Sequence, residues 1–246
     1  MSRPVEIGAG NTTPVRPNFQ KQWKPAMTIT ITAFDWVPKD ARGLVRDLRV
    51  RWALEEVGMP YDVRYLSLRD AKEPAHRSLQ PFGQVPTYEE NSLALFESGA
   101  IILHIAESYS GLLPDDAHGR ARAISWMFAA VDTVEVPMWD YAMATILEGD
   151  KDWTKARLPI IEERIRVRVS ELSSRLGDAE WFDGTFSAGD LMIASVLRHP
   201  TGRRIAEEYP NLADYIARSE ARPAFKRALD AQLTGFNGKP PAGWQQ

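Results

Sequence analysis

With 246 residues and no cysteine, the chain is long enough for one large domain or two ordinary ones, and it has no thiol for a disulfide, a thiolate metal site or a cysteine nucleophile. A hydrophobic fraction of 44%, a charged fraction of 26% and a net charge of −3 describe a globular protein without the basic footprint of a nucleic-acid or anionic-membrane binder. No apolar run approaches the roughly 20 residues that span a bilayer, and His76, His104, His118 and His199 are too dispersed to form a metal cluster.

Residues 1–26 hold four prolines and no sustained apolar period, which predicts an irregular extension. It lacks a signal-peptide core and the pattern of a transit peptide, so a cytoplasmic location is expected; an upstream start codon or an arm packed on the body both fit. TITITAF (28–34) alternates in period two and predicts a strand. Helical spacing follows over RGLVRDLRVRWALEEVG, closed by Gly58 with Pro60 beyond. YDVRYLSL reads as a second strand and KEPAHRSLQ as a short polar helix. PTYEE and LALFE form a strand pair around Asn91-Ser92, and Ser98 stands as the cap of the helix GAIILHIAESY. The order is β-α-β-α-β-β-α.

Strand signals stop after LLPDDAHG, and a linker is placed at 111–117. One long helix is expected over 120–147, bent or broken near Pro137. A second covers 153–176 with a core stripe of Ile160, Ile161, Ile165, Val169 and Leu172. Ser187 and Asp190 have the spacing of a capping box, with Asp in place of Glu. Two further helices are expected at 204–208 and 211–232, separated by Tyr209-Pro210.

Three segments point to a known family. RVRWALEEVGMPYDV resembles the first helix and second strand of the cytosolic glutathione transferases, PFGQVPTYEENSLALFESGAIILHIAE resembles their glutathione-binding segment, and FDGTFSAGDLMIASVL resembles the cap motif of their helical domain. The resemblance covers about 28–232; it is bacterial in type and assigns no class. It implies α/β plus all-α architecture: a thioredoxin-like glutathione-binding domain at 27–110 and an all-helical domain at 118–246 that carries the acceptor site. It also implies a cytoplasmic homodimer engaged in detoxification, with glutathione as co-substrate and no metal.

In that family, the residue before a cis-proline pairs its backbone with the cysteinyl part of glutathione, which places Val85 and Pro86. An acidic-Ser pair at the next helix start takes the γ-glutamyl end, which places Glu97 and Ser98, and Gln84 falls near the glycyl part, with His76 and Lys72 close by. The chemistry stands independently, because a helix N-terminus with a hydroxyl suits a carboxylate and Glu97 suits an ammonium. Taken singly, Ser98 reads equally as an N-cap, Glu97 as a solvated acid and Pro86 as a stiff strand start. His104, on an apolar helical face, reads as a core histidine.

The pattern breaks where the thiol should be activated. From Phe34 to Pro60 there is no Ser, Thr, Tyr or Cys, and Leu44 aligns with the usual catalytic hydroxyl. Arg46, Arg42 and Trp36 are the candidates left to stabilise a thiolate, and the two arginines, one helical turn apart, would face the same way. Trp126, Phe128, Met138, Trp139 and Tyr141 are candidates for an apolar acceptor cleft, with Phe236 and Trp244 of the tail as its covers. The expected activity is attack of the glutathione thiolate on a small apolar electrophile, by conjugation or peroxide reduction. A glutathione-binding or scaffolding protein of the same fold, without the chemistry, is the alternative.

Overall fold

The computed structural model describes residues 28–244; the extension at 1–26 lies outside the described residues. Strand β1 (Ile29–Phe34) pairs in parallel with β2 (Tyr61–Leu66) and antiparallel with β3 (Thr87–Glu90), which pairs antiparallel with β4 (Leu93–Phe96), giving the order β2-β1-β3-β4. β1 is central, so both its faces are covered. Ile29, Ile31 and Ala33 enter the core, and the buried Thr32 hydroxyl pairs with that of Thr87 at 3.0 Å. Asn91, at φ 55°, supplies the left-handed residue of the β3–β4 turn.

Helix α1 spans Asp47–Glu56, α2 Pro74–Arg77 and α3 Ser98–Ser108. α1 opens five residues later than the spacing from Arg42 implied. Gly43 sits at φ 79°, outside right-handed helical space, so 42–46 run as turns after a single 3₁₀ turn at Lys39–Ala41.

The remaining elements are helical: α4 (Ala117–Phe128), a π-helical segment (Ala129–Val134), α5 (Glu135–Ile146), α6 (Thr154–Leu176), α7 (Ala188–Leu197), α8 (Pro200–Ala206), α9 (Pro210–Ala221) and α10 (Pro223–Thr234). The break expected near Pro137 lies in the preceding turn. Proline has no N–H to return to the chain before it, and the widened π turn takes up the mismatch. In α6 the stripe is Ile161, Ile165, Val169, Leu172 and Leu176, whereas Ile160 is 64% exposed. α8 starts four residues earlier than expected, at Pro200. The helix expected over 211–232 is two, because Pro223 holds Arg222 extended at ψ 133°. The Ser187–Asp190 capping box is present, with Asp190 also accepting from the Phe182 N–H at 3.0 Å.

α1 is the hinge of the architecture. It packs against the sheet on one side and against α3, α7 and α10 on the others, with Trp52 fully buried among Phe186 and Phe225. Ion pairs tie the sheet region to the helices: Arg222 to Glu56 at 2.6 Å and Arg227 to Glu55 at 2.6 Å. Among the described residues no helix is long and apolar enough to cross a membrane.

Candidate active site

The Gln80–Pro86 loop is built from its own polar side chains. Gln80 Oε1 accepts from the N–H groups of Phe82 and Gln84 at 2.7 and 3.3 Å. Lys72 Nζ donates to the Gly83 carbonyl at 2.7 Å, and His76 Nε2 lies 2.7 Å from the Gln84 carbonyl. These two side chains therefore brace the loop. The loop ends in a cis Val85-Pro86 peptide. Among the described residues the backbone groups of Val85 have no hydrogen-bond partner, and Gln84 is exposed beside it.

At the start of α3 the chain turns sharply. Glu97 has φ 68° and ψ 115°, a region that side-chain-bearing residues rarely occupy, and its side chain is exposed. Non-glycine residues held this way gather at ligand sites, where the surrounding structure enforces them. Ser98 is the first helical residue, not the cap. Its hydroxyl caps no N–H, and the residue is 5% exposed on the wall of a cleft.

That cleft has a volume of about 490 Å³ and runs between α3, the start of α1 and the α4–α5 break. Glu97, Ser98 and Gly99 form one end, while Leu103, Met127, Phe128 and Val131 form an apolar wall. At the other end Arg46 donates to Glu135 Oε1 through Nε and Nη2 at 3.2 and 3.0 Å, and Arg49 grips both Glu135 oxygens at 3.2 and 2.8 Å. Burial pushes the Glu135 carboxyl up, but the charges and hydrogen bonds of Arg49 and Arg46 outweigh it and hold the group below the usual carboxylate range. Glu135 is thus shared by two cations, and Asp132 adds a second, exposed carboxylate to the cleft lining.

The sequence-derived candidates divide accordingly. Glu97, Ser98, Arg46 and Phe128 line the cleft, and Trp139 lies beneath the Arg46 guanidinium, 5.2 Å from it. Val85, Pro86 and Gln84 belong to the neighbouring loop. Arg42 and Arg46 do not face the same way: Arg42 stacks over Phe236 at 5.4 Å, and Trp36 packs edge-on against Trp244 at 5.3 Å. The tail therefore lies on the loop after β1, anchored by the Gly238 N–H to the Asp35 carbonyl at 2.8 Å, and its aromatics do not line the cleft. Trp126 stacks on Phe182 at 4.6 Å, Met138 is fully buried and Tyr141 packs against the core. His104 is half-buried between the Tyr88 ring and Glu90, away from the cleft.

Sequence reasoning missed Arg49, Asp132 and Glu135. Arg49 follows Arg46 by three residues, a visible signal. Glu135 is an acid two residues before a proline, and only the tertiary fold brings it to α1.

The family model for the glutathione S-transferase N-terminal domain matches residues 40–107. A glutathione S-transferase of Hyoscyamus muticus is 27% identical over 202 residues, 74% of this chain and 92% of that protein. A glutathione S-transferase-like protein of Beauveria bassiana is 27% identical over 198 residues, 73% of this chain and 87% of that one. Among solved structures, poplar glutathione transferase F1 superposes with a TM-score of 0.73 at 21% identity, covering 85% of this chain and all of that one. A glutathione transferase of Burkholderia graminis, with two glutathione molecules bound per subunit, gives 0.73 at 24% identity over 86% of this chain and 92% of its own.

Proposed function

We propose that this chain is a cytosolic glutathione transferase, one that binds glutathione across the Val85 loop and the start of α3 and directs its thiolate at a small electrophile in the adjoining cleft. The observation that carries this reading is the Glu97–Ser98 corner: a strained backbone, an exposed carboxylate and a hydroxyl without a capping role, all on one cleft wall. The free backbone of Val85 pairs with the cysteinyl unit. Glu97 takes the γ-glutamyl ammonium, Ser98 and the first N–H groups of α3 take its carboxylate, and Gln84 stands by the glycyl end.

The activated species is the thiolate, so the protein must stabilise negative sulfur. No hydroxyl stands between Phe34 and Pro60. Arg46 supplies the charge instead, at the mouth of α1 and held in place by Glu135 and Trp139. Attack forms a carbon–sulfur bond and expels a leaving group, or forms a sulfur–oxygen bond as a peroxide O–O bond breaks, releasing an alcohol and a glutathione sulfenic acid that a second glutathione converts to the disulfide and water; Leu103, Met127, Phe128 and Val131 hold the apolar body. A Burkholderia graminis glutathione transferase of the same fold holds glutathione, which supports glutathione as the ligand. The missing hydroxyl also favours a second reading, a protein that binds glutathione without activating it.

We further propose a cytoplasmic homodimer. Phe82 is 62% exposed and packs edge-on with Phe96 at 6.2 Å, an apolar pair at the β4 edge of the sheet. Calorimetric titration tests the glutathione site: the native chain binds, and Glu97→Gln weakens binding while leaving the circular dichroism unchanged. Equal affinity in the two would remove the corner from the site.

A further inference from the structure

We propose that the electrophile this cleft accepts carries a carboxylate, and that Arg46 recognises it; the inference rests on the transferase reading above. Stabilising the thiolate calls for one positive charge, yet two arginines stand on a single carboxylate in this cleft. Arg49 spends its fork on Glu135 and is buried. Arg46 spends only Nε and Nη2, its Nη1 has no partner among the described residues, and its side chain is 35% exposed on the cleft. The guanidinium is already held from two directions, by Glu135 and by the Trp139 ring, so little freedom is lost when it grips an anion. A carboxylate placed there leaves the apolar body of the ligand against Leu103, Met127 and Phe128. Two acids oppose this: Glu97, which the glutathione ammonium covers, and the exposed Asp132 at the cleft wall.

The test compares two probes that react identically and differ by one charge: chlorodinitrobenzene and its ring-carboxylate counterpart, chlorodinitrobenzoate. In both, the glutathione thiol proton passes to solvent, sulfur bonds to the ring carbon bearing chlorine, and chloride leaves with its electron pair. Thiolate activation acts on both reactions alike, so it cancels in the ratio of their kcat/KM values, and carboxylate recognition does not. Arg46→Gln is expected to lower the benzoate-to-benzene ratio about tenfold. Asp132→Asn, on the exposed surface, is expected to raise it about two- to threefold, and added salt to lower it. A ratio unmoved in Asp132→Asn, by added salt and in the residual turnover of Arg46→Gln overturns the inference alone. No turnover of either probe by the native chain overturns the transferase reading, and the inference with it.

Discussion

At Ser98 two roles compete for one hydroxyl. A serine at a helix start ordinarily satisfies an N–H of the first turn, but here the capping position is taken by Glu97 at positive φ, and the Ser98 hydroxyl is free for a ligand. Ser98→Ala should therefore leave the melting temperature nearly unchanged and raise the KM for glutathione. A hydrogen bond to a charged group is worth about 1.5–3 kcal/mol, or roughly 10- to 100-fold. Glu135 gives the opposite kind of prediction. Its folded pKa is depressed, so its contribution to stability is complete above the ordinary carboxylate pKa of about 4.3 and is lost as pH falls through the lower folded value. Urea unfolding followed between about pH 3 and 6 should show an acid decline that is shallower in Glu135→Gln, with the stability gap between the two widest toward neutrality and narrowing as pH falls. The sequence displays Ser98, Glu97 and Arg46 as a motif and a gap. It does not display the Arg46–Glu135–Arg49 cluster, whose partners are 89 and 86 residues apart.

At the scale of elements, periodicity and punctuation carry most of the fold. The alternating Thr and Ile of β1, the Asn91 turn and the Ser187–Asp190 box each signal a local structure that tertiary packing then uses. Expectations failed where a backbone effect overrode side-chain spacing. Gly43 delays α1, Pro223 divides the last helix, and the π segment sits ahead of Pro137 and not at it. Asp190 shows how much one local signal can support. Beyond capping α7 it accepts from Phe182 N–H, Ser187 and the buried Tyr215 hydroxyl. Asp190→Ala leaves the Phe182 and Ser187 donors buried and unpaired, while Tyr215 keeps the Asp190 backbone carbonyl, and should cost about 3 kcal/mol, against about 1 for Ser187→Ala, read from chemical denaturation midpoints.

For the molecule as a whole, the cleft exists only because two regions are fixed against each other. α1 carries Arg46 and Arg49 toward the α4–α5 break, while Arg222 and Arg227 on the last helices clamp its other end through Glu56 and Glu55. Association of two chains would bury the Phe82–Phe96 patch. Phe82→Ala, which removes an exposed ring from each protomer, should weaken self-association by at least about tenfold in sedimentation equilibrium without lowering the affinity of each site for glutathione. The central claim is that a chain lacking the usual hydroxyl still activates the thiol of bound glutathione. The most direct measurement is the ultraviolet thiolate absorbance of glutathione bound to the native chain, followed across pH beside Arg46→Gln. A thiol pKa well below that of free glutathione, rising in Arg46→Gln, is the predicted result; tight binding with an unshifted thiol would contradict it.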